Sequence, residues 1–184
     1  MTTRRSLKAA GSMLAIAAGT GFATSASANE DVLALQTDPA NMVMPSVNYA
    51  GWNYSTLDQI TLENVNQLQI AWTWQIGILD SHEASPLVVG DTMYIVSPKP
   101  NYVYALDLNT DGVIKWEFRP DMNVEEATRQ GCCGAQTRGL NYAEGMIFFN
   151  TLDGQVFGLD ATTGEALWRT VGADLAIGET TVGN

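Results

Sequence analysis

Two stretches of the chain, Ala105-Leu-Asp-Leu-Asn-Thr-Asp-Gly-Val-Ile-Lys-Trp116 and Gly158-Leu-Asp-Ala-Thr-Thr-Gly-Glu-Ala-Leu-Trp168, end in the same pattern. Each runs from a small residue through Leu, Asp and a short turn to Gly, and a Trp follows after three more residues. Working outward, a shift of 53 residues carries Leu87, Met93, Val103, Leu106 and Asp107 onto Leu140, Met146, Val156, Leu159 and Asp160, with no gap from Leu87 to Asn109. After a one-residue slip, Gly112 falls on Gly164 and Trp116 on Trp168. The identities are few, but they stand where a repeat must keep its turns and its packing.

Each unit reads as four short strands rich in β-branched and aromatic residues. In the first these are Ser85 to Val89, Thr92 to Val96, Tyr102 to Asp107 and Val113 to Phe118. In the second they are Leu140 to Ala143, Met146 to Asn150, Gln155 to Asp160 and Ala166 to Thr170. Gly90-Asp91 and Asp153-Gly154 supply tight turns. Four-stranded units at this spacing predict the blades of a β-propeller, an all-β fold that typically uses four to eight of them. Two complete blades and a flanking strand-like segment, Tyr49 to Trp74, cannot close a ring, so residues 29–184 read as the amino-terminal part of a longer propeller domain. Trp116 and Trp168 are expected to pack between neighbouring blades.

In a propeller the connection from one blade to the next crosses a face from rim to axis, so residues at its inner end line the central opening. The connection from Arg119 to Thr137 has 19 residues, long enough to suggest a function if it is structureless. It carries the only two cysteines, Cys132 and Cys133, near its inner end, and Arg138 follows at the position matching Ser85. Glu83 arrives from the preceding connection and Thr180 or Thr181 from the next. An arginine there suits a planar carboxylate, and the acidic and hydroxyl groups suit the polar edge of a flat ligand.

Adjacent Cα atoms lie about 3.8 Å apart, closer than the roughly 4.4 to 6.8 Å of ordinary disulfides. A Cys132–Cys133 bond would close a small strained ring that staples no loop. The alternatives are two free thiols or half of a metal site; an oxidising compartment disfavours the first, and a chain with one histidine ill suits the second. Residues 1–28 read as a signal peptide, with Arg4, Arg5 and Lys8 ahead of an apolar stretch from Ala9 to Ala18 and Ala26-Ser27-Ala28 as the cleavage site. The paired arginines resemble a twin-arginine signal, the general secretory route being the alternative, and both lead out of the cytoplasm. Without that segment six basic residues face twenty acidic ones, which argues against a nucleic-acid partner.

These residues resemble the quinoprotein alcohol dehydrogenases, eight-bladed propellers that hold pyrroloquinoline quinone (PQQ) on the axis, with the methanol-oxidising large subunits as the nearest branch. The resemblance rests on Asn48-Tyr-Ala-Gly-Trp-Asn-Tyr-Ser-Thr-Leu-Asp-Gln-Ile60, Leu68-Gln-Ile-Ala-Trp-Thr-Trp74, His82-Glu-Ala-Ser-Pro-Leu-Val88, the Cys-Cys pair followed by Arg138-Gly139, and the blade endings. It implies that Cys132 and Cys133 form a ring stacked on the quinone, that Arg138 grips a cofactor carboxylate, that Glu83 touches its polar edge, and that Thr180 or Thr181, of which Thr181 is preferred, is the cofactor-binding threonine. It also implies a calcium or lanthanide ion acting as a Lewis acid and an aspartate base, both supplied by later blades, so no metal ligand or catalytic residue is expected here. The function implied is periplasmic oxidation of a primary, methanol-like alcohol, with electrons passing to a cytochrome c. A small subunit or a homo-oligomer is left open. The rival readings are a non-enzymatic binding propeller of the outer-membrane assembly scaffold type and a quinoprotein for sugars or larger alcohols. The first would need no adjacent cysteines and would show a lipid-acceptor cysteine near Ala28.

Overall fold

A computed structural model describes residues 29–130 and 136–181; the signal-peptide reading and the Cys132–Cys133 pair lie outside the described residues. Eight strands form two four-stranded antiparallel sheets, each running in simple order from first strand to fourth. The first holds β1 (Leu87–Val89), β2 (Thr92–Val96), β3 (Val103–Asp107) and β4 (Val113–Phe118). The second holds β5 (Asn141–Ala143), β6 (Met146–Asn150), β7 (Gln155–Asp160) and β8 (Ala166–Val171). Apart from one residue fewer at the start of β3 and one more at the end of β8, these are the strands expected from the sequence, shorter at the start of β1 and β5. There the chain leaves its own sheet and an isolated parallel bridge joins Ser85 to Gly139.

The two units are related by a shift that falls along the chain, not by a constant 53. Val89 pairs with Thr92 and Ala143 with Met146, a shift of 54. Asp107 pairs with Thr92 and Asp160 with Met146, so the third strands are related by 53, and Trp116 and Trp168, opposite Ala105 and Gly158, by 52. The second unit is one residue shorter in each of two turns. This corrects the matching of Arg138 to Ser85: Ser85 corresponds to Gly139, and Arg138 to Ala84. A β-bulge recurs at the same place, between Ala105 and Leu106 and between Gly158 and Leu159.

An even shift in β1 and β2 reverses which face of the strand a pair of matched letters occupies. The 53-residue match aligned Leu87, Tyr94 and Val96 with Leu140, Ile147 and Phe149, and all six are buried in one core. They meet there from opposite faces of two sheets stacked against each other, as neighbouring blades must be. Phe118 packs edge-on against Phe149 and Phe157, with ring centroids 6.0 and 5.3 Å apart.

Trp116 closes this interface. Its Nε1–H and the Tyr94 hydroxyl both donate to the Ala161 carbonyl oxygen at 3.0 Å. Its ring lies so close over Gly164 that a Cβ there would sit 2.6 Å from Cδ2. Trp72 lies over Gly112 in the same way, its Cζ3 at 2.7 Å from such a Cβ. The segment carrying Trp72 is the flanking segment, and it contains no assigned strand, only a 3-10 turn at Val65–Gln67. A strand needs a hydrogen-bonded neighbour, and none of the described residues pairs with it. Trp168 packs on Phe148 of its own sheet at 5.9 Å and keeps 40% of its surface exposed.

The long connection is not structureless. It contains the helix α2 (Val124–Gln130), whose Glu126 N–H donates to Asn123 Oδ1 at 3.1 Å and whose first turn carries Glu125 and Glu126. A polar acceptor before the helix and acidic residues in its first turn satisfy its free N–H groups and dipole. Near the amino terminus α1 (Glu30–Leu35) is capped by Asn29, and Met42 pairs with Val88 along the free edge of β1. Among the described residues no helix is long and apolar enough to cross a membrane.

Gly164 has φ +75°, so in the full-length protein Gly164→Ala adds left-handed strain of about 1 to 2 kcal/mol to overpacking of about 1 to 3 kcal/mol. Gly90→Ala, at φ +60° with nothing within 4 Å, should incur only the strain; equal losses in urea unfolding midpoints would contradict this account. Burial, followed by the neighbouring Tyr142, pushes the Tyr94 phenol up to about 12. The folded state therefore favours the neutral phenol, and stability present below about pH 10 should be lost as pH rises towards 12. Tyr94→Phe should remove that loss and one late step in an ultraviolet titration of tyrosinate.

Candidate cofactor site

The site forms where the first strands of the two sheets begin. The Ser85–Gly139 bridge sets these strands side by side and parallel, so Glu83, two residues before it, and Arg138, one residue before it, reach the same end of the stack. Both side chains are exposed. Neither makes a hydrogen bond or ion pair among the described residues. The turns joining second to third strands face the same end, and the next connection returns there as well. Thr181 Oγ1 donates to the Thr151 carbonyl oxygen at 2.5 Å, which ties that connection to the β6–β7 turn. Three of the five expected site residues thus converge on one end, while Cys132 and Cys133 fall in the undescribed part of the connection.

His82 has a structural role: its Nε2–H donates to the Val96 carbonyl oxygen at 3.0 Å, anchoring the connection just before Glu83. The remaining atom of interest is one the sequence reading passed over. Thr137 is 2% exposed, and its Oγ1 is buried without a hydrogen-bond partner among the described residues. It follows Glu83 by 54 residues, as Gly139 follows Ser85, so the two occupy equivalent places in consecutive units. Aligning the units on their hairpin turns would have found it.

A buried hydroxyl left unpaired costs about 1 to 3 kcal/mol, and such a group at an opening shared with an acid and a guanidinium suits a flat anion with polar edges. Arg138 offers a planar fork to a carboxylate; Glu83 offers an acceptor and Thr137 a rotatable hydroxyl. Among the described residues no group of three or more His, Cys, Asp or Glu side chains could hold a metal ion. A cavity of about 720 Å³ lies to one side of this end, between residues 121–123 and the segment at Asp174 and Leu175.

Comparison with known proteins agrees with the propeller repeat. Residues 45–174 match the family described as PQQ: Glucose/ethanol/alcohol dehydrogenase, beta-propeller domain. A lanthanide-dependent methanol dehydrogenase of Methylacidiphilum fumariolicum is 46% identical over 89% of this chain and 27% of its own length. Subunit 1 of the cytochrome c methanol dehydrogenase of Paracoccus denitrificans is 42% identical over 96% of this chain and 30% of its own. The quinohemoprotein alcohol dehydrogenase ADH-IIG of Pseudomonas putida is 33% identical over 85% and 22%. Among solved structures, a europium-containing methanol dehydrogenase superposes with a TM-score of 0.80 at 47% identity, covering 84% of this chain and 27% of the other. The chain thus spans between about a fifth and a third of the length of the relatives it matches. With its two stacked four-stranded sheets as blades, the chain belongs to the family of PQQ-dependent glucose, ethanol and alcohol dehydrogenase β-propellers.

Proposed function

We propose that this chain forms part of the PQQ cradle of an exported quinoprotein alcohol dehydrogenase that oxidises a primary, methanol-like alcohol to the aldehyde and passes electrons to a periplasmic cytochrome c. The observation that carries the reading is the parallel Ser85–Gly139 bridge, because it brings Glu83 and Arg138 to one opening in a chain of this family. Methanol-like substrates are favoured over sugars or larger alcohols because the methanol dehydrogenases are more similar to this chain, at 46% and 42% identity, than the quinohemoprotein at 33%. Residues 1–28 act as the signal peptide in this reading.

When bound, the quinone with its calcium or lanthanide ion supplies the two-electron oxidation. The residues of this chain hold and shield it. Arg138 takes a cofactor carboxylate in a bidentate grip. Glu83 accepts from the cofactor's edge, and Thr137 gives its unpaired hydroxyl. Cys132 and Cys133, joined in a ring, lie against the flat face. Thr181, whose proton is committed to the Thr151 carbonyl, keeps its oxygen lone pairs for the ligand and fixes the rim.

In the full-length protein Arg138→Ala should weaken PQQ binding to the metal-loaded apoprotein by about 2 to 5 kcal/mol, the range for truncating one partner of a desolvated charge pair. Changing Cys132 and Cys133 together to alanine should abolish alcohol-dependent dye reduction. Full PQQ affinity in the first variant and full turnover in the second would remove both from the cradle. Thr137→Val should leave the cofactor-free protein as stable as before or about 1 kcal/mol more so, since it deletes an unpaired buried hydroxyl, while weakening PQQ binding severalfold. A loss of stability with unchanged binding would mean that the hydroxyl serves the fold.

A further inference from the structure

The β6–β7 turn does more than reverse the chain. The Asp153 Oδ2 accepts from the Asn123 N–H and from Gln155 Nε2–H, each at 2.8 Å, and the same Gln155 amide donates to the Asp121 carbonyl oxygen at 2.8 Å. The Thr151 hydroxyl donates to Asp153 Oδ1 and accepts from the Gln155 N–H at 3.2 Å, which locks the carboxylate in place. Residues 121–123 begin the connection that carries the cysteine pair and ends at Arg138, and Asn123 caps its helix α2. On its other side the turn receives Thr181 at the Thr151 carbonyl, and the Leu152 N–H donates to Asn101 Oδ1 of the first unit at 3.0 Å. One five-residue turn is bonded to both connections and to the preceding blade.

The blade itself does not require this arrangement. The corresponding turn of the first unit, Ser97 to Tyr102, contains no acidic residue. There Ser97 Oγ donates to the Pro98 carbonyl at 2.6 Å and accepts from the Tyr102 N–H at 2.9 Å. Tyr102, at the place of Gln155, instead stacks under the Arg119 guanidinium at 4.9 Å. Both turns close four-stranded sheets of the same order, so the carboxylate at Asp153 is surplus to the sheet and is spent on the connection.

We infer that Asp153 is a positioning residue for the quinone site: held by Thr151 and Gln155, it clamps the start of the 119–137 connection and so sets where that connection delivers Arg138, without touching the ligand. The inference rests on the function proposed above. A side chain that acts through a supporting shell typically changes site affinity by about 10 to 100-fold.

The test compares Asp153→Asn with Asp160→Asn in the full-length protein. Asp160 is the control because its carboxylate caps its own turn, accepting from the Thr162 and Thr163 N–H groups at 2.8 Å, and contacts neither connection. Both variants are expected to lower Tm. Only Asp153→Asn is expected to weaken PQQ binding to the metal-loaded apoprotein, by about tenfold or more, and to speed amide exchange at residues 123–130 in the absence of PQQ. Asp153→Glu, which keeps the carboxylate, should recover part of the affinity. Unchanged PQQ affinity in Asp153→Asn, or an equal loss in Asp160→Asn, overturns the inference. If the wild-type protein binds no PQQ, the proposed function fails instead, and the exchange measurement alone then decides the clamp, with unaltered exchange rejecting it.

Discussion

The contact on which the structure depends is the seating of one blade's tryptophan on the next blade's glycine. Trp116 covers Gly164 and shares the Ala161 carbonyl with Tyr94. A buried ring of this size contributes about 3 to 5 kcal/mol against truncation, whereas exposed ion pairs such as Lys115–Asp91 contribute little. Sheets stack because a large apolar ring meets a bare backbone, and the hydroxyl and indole donors on a single carbonyl fix the angle at which it does so. Everything at the opening follows, since the Ser85–Gly139 bridge forms only between sheets already held in this stacking.

From that stacking the site acquires its form. The strands supply rigidity, and the connections supply the chemistry, in keeping with the general division between scaffold and loops. Glu83 and Arg138 stand out from two adjacent first strands, anchored from behind by His82 on Val96 and by the buried Leu87 and Leu140. The β6–β7 turn collects both connections. Beside the exposed Glu83 and Arg138, the buried Thr137 hydroxyl has no partner among the described residues, an arrangement that folding alone does not favour, because that group forgoes hydration without compensation.

The letters of the chain were sufficient for the strands. Alternating β-branched and aromatic residues, with Gly-Asp and Asp-Gly turns, mark all eight, because strand formation and tight turns depend on near neighbours. They also marked Trp116 as a packing residue and brought Glu83, Arg138 and Thr181 to one end, because propeller topology sends every inter-blade connection to the same face. The 54-, 53- and 52-residue shifts were blurred into one, since identical letters were matched without regard to which sheet face they occupy. Thr137 was hidden for the same reason. Helix α2 was missed because its signal, Asn123 followed by two glutamates, is only one turn long. The Asp153 clamp joins residues about 30 apart that share no pattern.

What the sequence determined by itself was therefore local and periodic: strands, turns, the repeat, and the residue types carried by each connection. Only the tertiary structure decided that the matched apolar residues meet from opposite faces, that Ser85 stands beside Gly139, that the Thr137 hydroxyl is left unpaired, and that one aspartate holds the long connection. The reason is physical. Hydrogen-bonded turns and strand propensity act over a few residues, whereas burial and the pairing of polar groups depend on which surfaces meet, and that is settled only when two sheets close on a shared core.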